Sequence, residues 1–291
     1  MSMAPETRAL METLAADMAA GRMIPYLGPE VLTLGPVESP VPTGARELAA
    51  KLCSRVAVPG RIRNNLWHTA QYIETFRHRV TVDKLLAETF KPVPEPTHLH
   101  RWLASLDRLP MIVDTWYDGT MREALAGRSD WGSVQGASKA RRTTDVPWTR
   151  HHDATGAEVS PEIATGWATL LYKPHGAAHP DGDVLASDAD YVEVLTDIDL
   201  QTPIPQAVQL RRTGTGFVFL GCRFYDQILR TFARCIMRRS GGPHYAVMPE
   251  DMTANERKFF EVEGITPIIV PLAEAALALT GAPADHQGLV V

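Results

Sequence analysis

The sequence predicts an α/β fold: a Rossmann-like, mostly parallel sheet with helices on both faces. Three observations carry that prediction. Short apolar runs without polar alternation recur, as in Met111-Ile112-Val113, Leu170-Leu171-Tyr172 and Phe217-Val218-Phe219-Leu220, the pattern of strands buried on both faces. Helical periodicity falls between them, most clearly in Phe224, Ile228, Phe232 and Ile236, each four residues from the last. The apolar runs also stop abruptly at glycine or polar residues, and open parallel sheets bind ligands where strands deliver such residues at their carboxyl ends.

The elements follow in order. Leu10, Leu14 and Met18 share one face of an opening helix over about 5–20, closed by Gly21. Residues 22–27 (R-M-I-P-Y-L) form a first strand, which runs into Gly28 and a proline-rich loop lasting to Pro42. Thr43 is the expected cap of a helix carrying Leu48 and Leu52. From there to about 106 the pattern is helical throughout, broken by Pro92, Pro94 and Pro96, and is expected to form a helical cap. The strand at 111–113 leads through Asp114-Thr115-Trp116-Tyr117-Asp118 to Gly119 and a helix with Met121, Ala124 and Leu125. Asp118 there is either part of a ligand-site floor or simply the helix N-cap.

Residues 127–167 are irregular and rich in Gly, Ser, Thr and charge. A structureless loop that long is unusual in a compact domain, so an insertion with order of its own, such as a hairpin, is expected. Lys139, Arg141, Arg142 and Arg150 make it locally basic, which reads as a solvated face. Strands follow at about 168–173, 216–220, 244–248 and 265–270, with helices between them and one after the last. Ser187 is positioned to cap a helix through Tyr191 and Leu195. Residues from about 281 to 291 read as a loose tail, and the whole chain, 1–291, as one domain.

Composition narrows the function classes. Acidic residues outnumber basic ones by 34 to 29, which argues against a nucleic-acid footprint. No apolar run reaches the length of a membrane span. Cys53, Cys222 and Cys235 are odd in number and widely spaced, against a disulfide framework or a zinc ribbon and in keeping with a reducing cytoplasm. His98-x-His100 and His151-His152-Asp153 invite a metal reading, but a spacing of two on a helix points rings to different faces, and no metal is expected.

Five motifs now stand in order: Pro25-Tyr26-Leu27-Gly28, Tyr117-Asp118, Tyr172-Lys173-Pro174-His175-Gly176, Asp190-Tyr191 and Phe219-Leu220-Gly221. In this order the chain resembles the bacterial SIR2-like domains, relatives of the sirtuins that often cleave NAD. The resemblance implies a Rossmann-like domain holding NAD across the carboxyl ends of its strands. Gly28 and the loop after it would hold pyrophosphate, Gly221 would sit near the adenosine half, and Thr115 and Gly176 would flank the cofactor. His175 would be a general base, with Asp118 as its working partner; read from its residue type alone, His175 is more often a structural hydrogen-bonder, and the resemblance brings the two readings level.

The departures from the family fall on the residues that carry chemistry. The family's A-G-x-S after the first glycine is Pro29-Glu30-Val31-Leu32 here. Pro29 has no N–H, and Glu30 brings a carboxylate where phosphate would sit. The family's asparagine position is Trp116, with one donor and no acceptor. The expectation is therefore a degenerate NAD site in a nucleotide-binding or regulatory module. The alternatives are an active NAD glycohydrolase using His175 and a scaffold whose cap binds a protein partner. A link to bacterial nitrogen fixation, through chains similar in their D-x-W-Y-D stretch, is a further expectation.

Overall fold

The computed structural model describes residues 3–138, 147–197 and 204–282. The basic residues Lys139, Arg141 and Arg142 and most of the expected tail lie outside the described residues. The chain opens with α1 (Pro5–Ala19) and β1 (Met23–Leu27). A proline at its first turn starts α1, where the missing N–H costs nothing, and Gly21 at φ +75° turns the chain into the sheet. A 3-10 turn over Pro29–Leu34 follows, then the cap helices α2 (Ala45–Cys53), α3 (Leu66–Arg77), α4 (Arg79–Thr89) and α5 (His98–Ala104). Next come β2 (Met111–Asp114), α6 (Thr120–Ala124), β3 (Trp131–Gly136), β4 (Thr149–Asp153) and β5 (Thr169–Lys173). The last third holds α7 (Asp188–Asp197), α8 (Gln206–Arg212), β6 (Gly216–Leu220), α9 (Gln227–Met237), β7 (His244–Met248), α10 (Ala254–Glu263), β8 (Ile265–Ile269) and α11 (Leu272–Thr280).

The strands form one eight-stranded sheet in the order β4-β3-β5-β2-β1-β6-β7-β8, parallel throughout except for the β3–β4 pair. The expected α/β fold is therefore what the chain adopts. β1, β2, β5 and β6 are buried at every position, as central strands covered on both faces must be. Their side chains divide by the strand period of two. Ile24, Tyr26, Phe217 and Phe219 pack on one face, and Met23, Leu27, Val218 and Leu220 on the other, against α1 and α11. A third core lies under the cap, where Leu48, Trp67, Ile73, Val82 and Phe90 meet Trp116 and Tyr117. No helix among the described residues is long and apolar enough to cross a membrane.

Three local readings change. Thr43 is not the cap of α2: Gly44 is, and Thr43 instead gives its N–H and hydroxyl to Glu47 at 2.6 and 3.0 Å. Asp118 lies one residue before the N-cap of α6, Gly119, and its Oδ1 accepts the Thr120 N–H at 2.8 Å. Residues 127–167 contain the hairpin β3–β4, but β3 also pairs with β5, so this hairpin widens the main sheet. Gly132 and Gly136 within β3 masked it: a Cβ at Gly132 would overlap the Trp167 ring, and one at Gly136 the Pro174 carbonyl.

Candidate functional site

The strand order reverses at β1, where the chain leaves to β2 on one side and returns with β6 on the other. Loops diverging from such a point leave a crevice beyond the strand ends. Here it is a cavity of about 480 Å³, within the roughly 300–1,000 Å³ of small-molecule sites. Tyr26, Trp67, Trp116, Tyr117, Phe224 and Tyr225 supply aromatic wall, and Glu30, Arg46, Arg223 and Asp251 bring charge to it.

The loop after β1 has its donors occupied. Gly28 N–H reaches Leu220 O at 2.9 Å, Glu30 N–H reaches Gly221 O at 3.2 Å, and Val31 N–H turns back to Gly28 O at 3.3 Å. Pro29 has none to give. A Cβ on Gly28 would overlap the Gly221 carbonyl, and one on Gly221, at φ +65°, would meet the Val31 nitrogen. Both glycines thus let the ends of β1 and β6 touch backbone to backbone. Thr115 is used in the same way, its N–H and hydroxyl both falling on Leu27 O at 3.0 and 2.8 Å.

Glu30 lines the cavity. Burial raises its carboxyl pKa, while Arg223 pulls it down and Glu256 and Asp251 add to the rise. Arg223 itself is held by Glu256 at 3.0 Å and Asp251 at 3.5 Å. A pyrophosphate at this loop would meet a carboxylate and carbonyl-bound amides. The residues present do not fit the phosphates of NAD there.

His175 follows β5 and is 3% exposed. Its Nδ1 lies 3.0 Å from the Tyr191 hydroxyl, which donates to Leu185 O at 2.9 Å. With the Tyr191 proton on Leu185 O, which also accepts from the Tyr117 hydroxyl at 2.8 Å, Nδ1–H is the donor to the Tyr191 oxygen. Nε2 is then the lone-pair nitrogen. It has no hydrogen-bond partner among the described residues, and the residue lines the cavity. Burial, with the nearby Lys173 charge, lowers the His175 pKa to about 3, so the imidazole is neutral.

Tyr191 is placed by the start of α7. Ser187 Oγ accepts the Asp190 N–H at 3.3 Å, in keeping with its expected capping role. The Asp190 carboxylate takes the Ala186 and Ser187 N–H groups, the Ser138 hydroxyl and the Arg79 guanidinium, which also holds Asp83. The cap is tied in by Trp116, whose Nε1–H donates to Pro42 O at 2.7 Å with Phe90 edge-on against the ring. Below the cavity, Lys173 donates to Asp114 Oδ2 at 2.7 Å and to Asp118 O at 2.8 Å.

Of the residues expected at the site, Gly28, Glu30, Thr115, Trp116 and His175 line the cavity; Asp118, Gly176 and Gly221 stand outside its lining. Gly176, at φ +81°, turns the chain tightly against Asp183 and Val184. Sequence reasoning missed Arg46, Trp67 and Arg223. Arg223 follows the F-L-G motif by two residues, a usable signal; Arg46 and Trp67 come from the cap, whose docking no motif announces. Among the described residues no three His, Cys, Asp or Glu side chains converge as a metal site.

The model of the SIR2-like domain family matches residues 110–268. No curated protein matches the chain. The match spans β2 through β8, more than half of the sequence, and includes the strand ends that carry Trp116, His175 and Gly221. The chain belongs to the SIR2-like domain family.

Proposed function

We propose that this chain is a SIR2-like nucleotide-binding or regulatory module whose dinucleotide site has degenerated. One observation carries the reading: the N–H groups of Gly28, Glu30 and Val31 are all bonded to backbone carbonyls, and the Glu30 carboxylate lines the cavity beside them. Backbone N–H groups grip phosphate only when they are free to point at it. Calorimetric titration with NAD and with ADP-ribose tests this. The expected result is no binding of either, or binding weaker than about 1 mM; micromolar affinity for both would refute it.

A second reading, an active NAD glycohydrolase, is favoured by the His175 Nε2 lone pair at the cavity. His175 would be its base and Asp118, whose carbonyl holds Lys173, a positioning residue. A base serves best with a pKa near the working pH, and about 3 is far below neutrality, which supports the first reading over this one. The discriminating assay is nicotinamide release from NAD by the purified protein. Release that His175→Ala abolishes would establish the second reading. A role beside nitrogen-fixation machinery would be a setting for either and is tested by loss of nitrogenase activity on deletion.

A further inference from the structure

The first turn of α2 faces the same cavity, through Gly44, Ala45 and Arg46. Its cap, Gly44, has no side chain to take the free amides of the turn. The first bond into the helix is Leu48 N–H to Gly44 O at 3.0 Å, and among the described residues the N–H groups of Ala45, Arg46 and Glu47 have no acceptor. The carboxylate of Glu47, which could have served, is turned onto Thr43. Arg46 is in no ion pair among the described residues, and its charge and that of Arg223 both act on the Tyr225 hydroxyl. Three free amides at the positive end of a helix dipole, beside an uncommitted guanidinium, are what an anion needs.

A second observation points to a ligand independently. His175, buried to 3% exposure, lines this cavity with Nε2 unpartnered among the described residues. Leaving a buried acceptor unsatisfied is costly unless something binds it. Aromatic side chains line the rest, and Glu30 and Asp251 disfavour an anion on the β1–β6 side.

We propose that the N-terminus of α2, with Arg46, is the anion anchor of this cavity, and that its ligand is an aromatic monophosphate of mononucleotide size. The ring lies among the aromatic walls and offers a hydrogen-bond donor to His175 Nε2. This rests on the reading that the β1 loop no longer grips a dinucleotide.

The test uses the four ribonucleoside monophosphates and their four nucleosides, titrated calorimetrically into the whole chain. At least one monophosphate binds about tenfold or more tighter than its own nucleoside. In Gly44→Asp the new carboxylate takes the free amides itself. The site tolerates it, since Gly44 has extended φ of −171° and a Cβ there meets nothing within 4 Å. This variant therefore melts at a higher temperature while losing the phosphate advantage, and its nucleoside affinity stays within about twofold. Arg46→Ala reduces the same advantage. An advantage that survives Gly44→Asp, or no monophosphate exceeding its nucleoside, overturns the proposal. Tight NAD binding unaffected by Gly44→Asp overturns both this proposal and the degenerate-site reading; absence of NAD binding together with absence of the advantage overturns this proposal alone.

Discussion

Acid should destabilise this protein through His175, and the effect is separable from every other titration. Burial and Lys173 lower the pKa of His175 from 6.5 to about 3. Above pH 6.5 the ring is neutral in both folded and unfolded chains and contributes no pH dependence. Below 6.5 the unfolded chain takes a proton that the folded one refuses, so stability falls as pH falls, by about 1.4 kcal/mol per unit. By about pH 5 the loss from this one residue reaches about 2 kcal/mol. Buried His100, lowered to about 4 chiefly by burial, adds a similar loss. Asp114 runs the other way. Burial pushes it up to about 6 against the pull of Lys173, so the folded state gains a proton first and recovers about 1.4 kcal/mol by about pH 5.

The assay is urea unfolding at several pH values between about 5 and 8, on wild type and His175→Asn. Asparagine keeps a donor where Nδ1–H reaches Tyr191 and does not titrate. Whatever the variant costs at pH 8, its stability should fall by about 2 kcal/mol less than that of wild type on going to pH 5, because all other groups are common to both proteins. Parallel pH profiles would refute the assignment of a neutral, buried imidazole. So would an NMR titration in which the His175 ring protonates near pH 6.5.

Other outcomes follow from the same contacts. Glu30→Gln removes a like charge from the cavity but leaves the loop amides on their carbonyls, so calorimetry should still find NAD binding no tighter than about 1 mM. Gly28→Ala forces a methyl into the Gly221 carbonyl and should cost about 2–4 kcal/mol in denaturant unfolding; a loss below about 0.5 kcal/mol would mean the two strand ends are not in contact. Arg79→Met leaves the buried Asp190 and Asp83 carboxylates without their partner and should cost about 3–5 kcal/mol. The double variant Arg79→Met, Asp190→Asn should recover part of that loss.

The sheet was legible because its strands are short, apolar and ended by glycine or charge, and because β6 and α9 carry strong periods of two kinds. β3 was not, since W-G-S-V-Q-G has two glycines and two polar residues among six. Ser133 and Gln135 are nonetheless buried, so it is tertiary packing, with Trp167 and Pro174 pressed onto the glycines, that makes this stretch a strand. The candidate site was half legible. Motif positions at strand ends gave Gly28, Thr115, Trp116 and His175, because the topology of a parallel sheet sends such ends to one rim. Arg46 and Trp67 reach the same cavity from cap helices whose docking depends on side-chain packing at long range, for which the sequence has no short-range signal. Tyr191 could be read as a motif letter but not as the group that sets the His175 tautomer.

Glycine in the first loop is the clearest case of a letter whose physical reason differs from the one it suggests. A glycine after β1 in a Rossmann-like sheet is commonly read as an opening for phosphate. Here Gly28 and Gly221 press against each other, and the amides that would face a ligand are taken instead by the carbonyls of Leu220, Gly221 and Gly28. Such a contact holds the two central strands together at the switch point whether or not a ligand is bound. The packing demand alone is enough to require both glycines, so their presence is no evidence for a dinucleotide. What does bear on a ligand lies elsewhere in the cavity, in groups with no partner among the described residues: a lone pair on His175, three amides at the start of α2 and a guanidinium at Arg46. A site is better located by what the fold leaves unsatisfied than by the motif that survives, because an occupied donor cannot bind and an idle buried one has a cost that binding relieves.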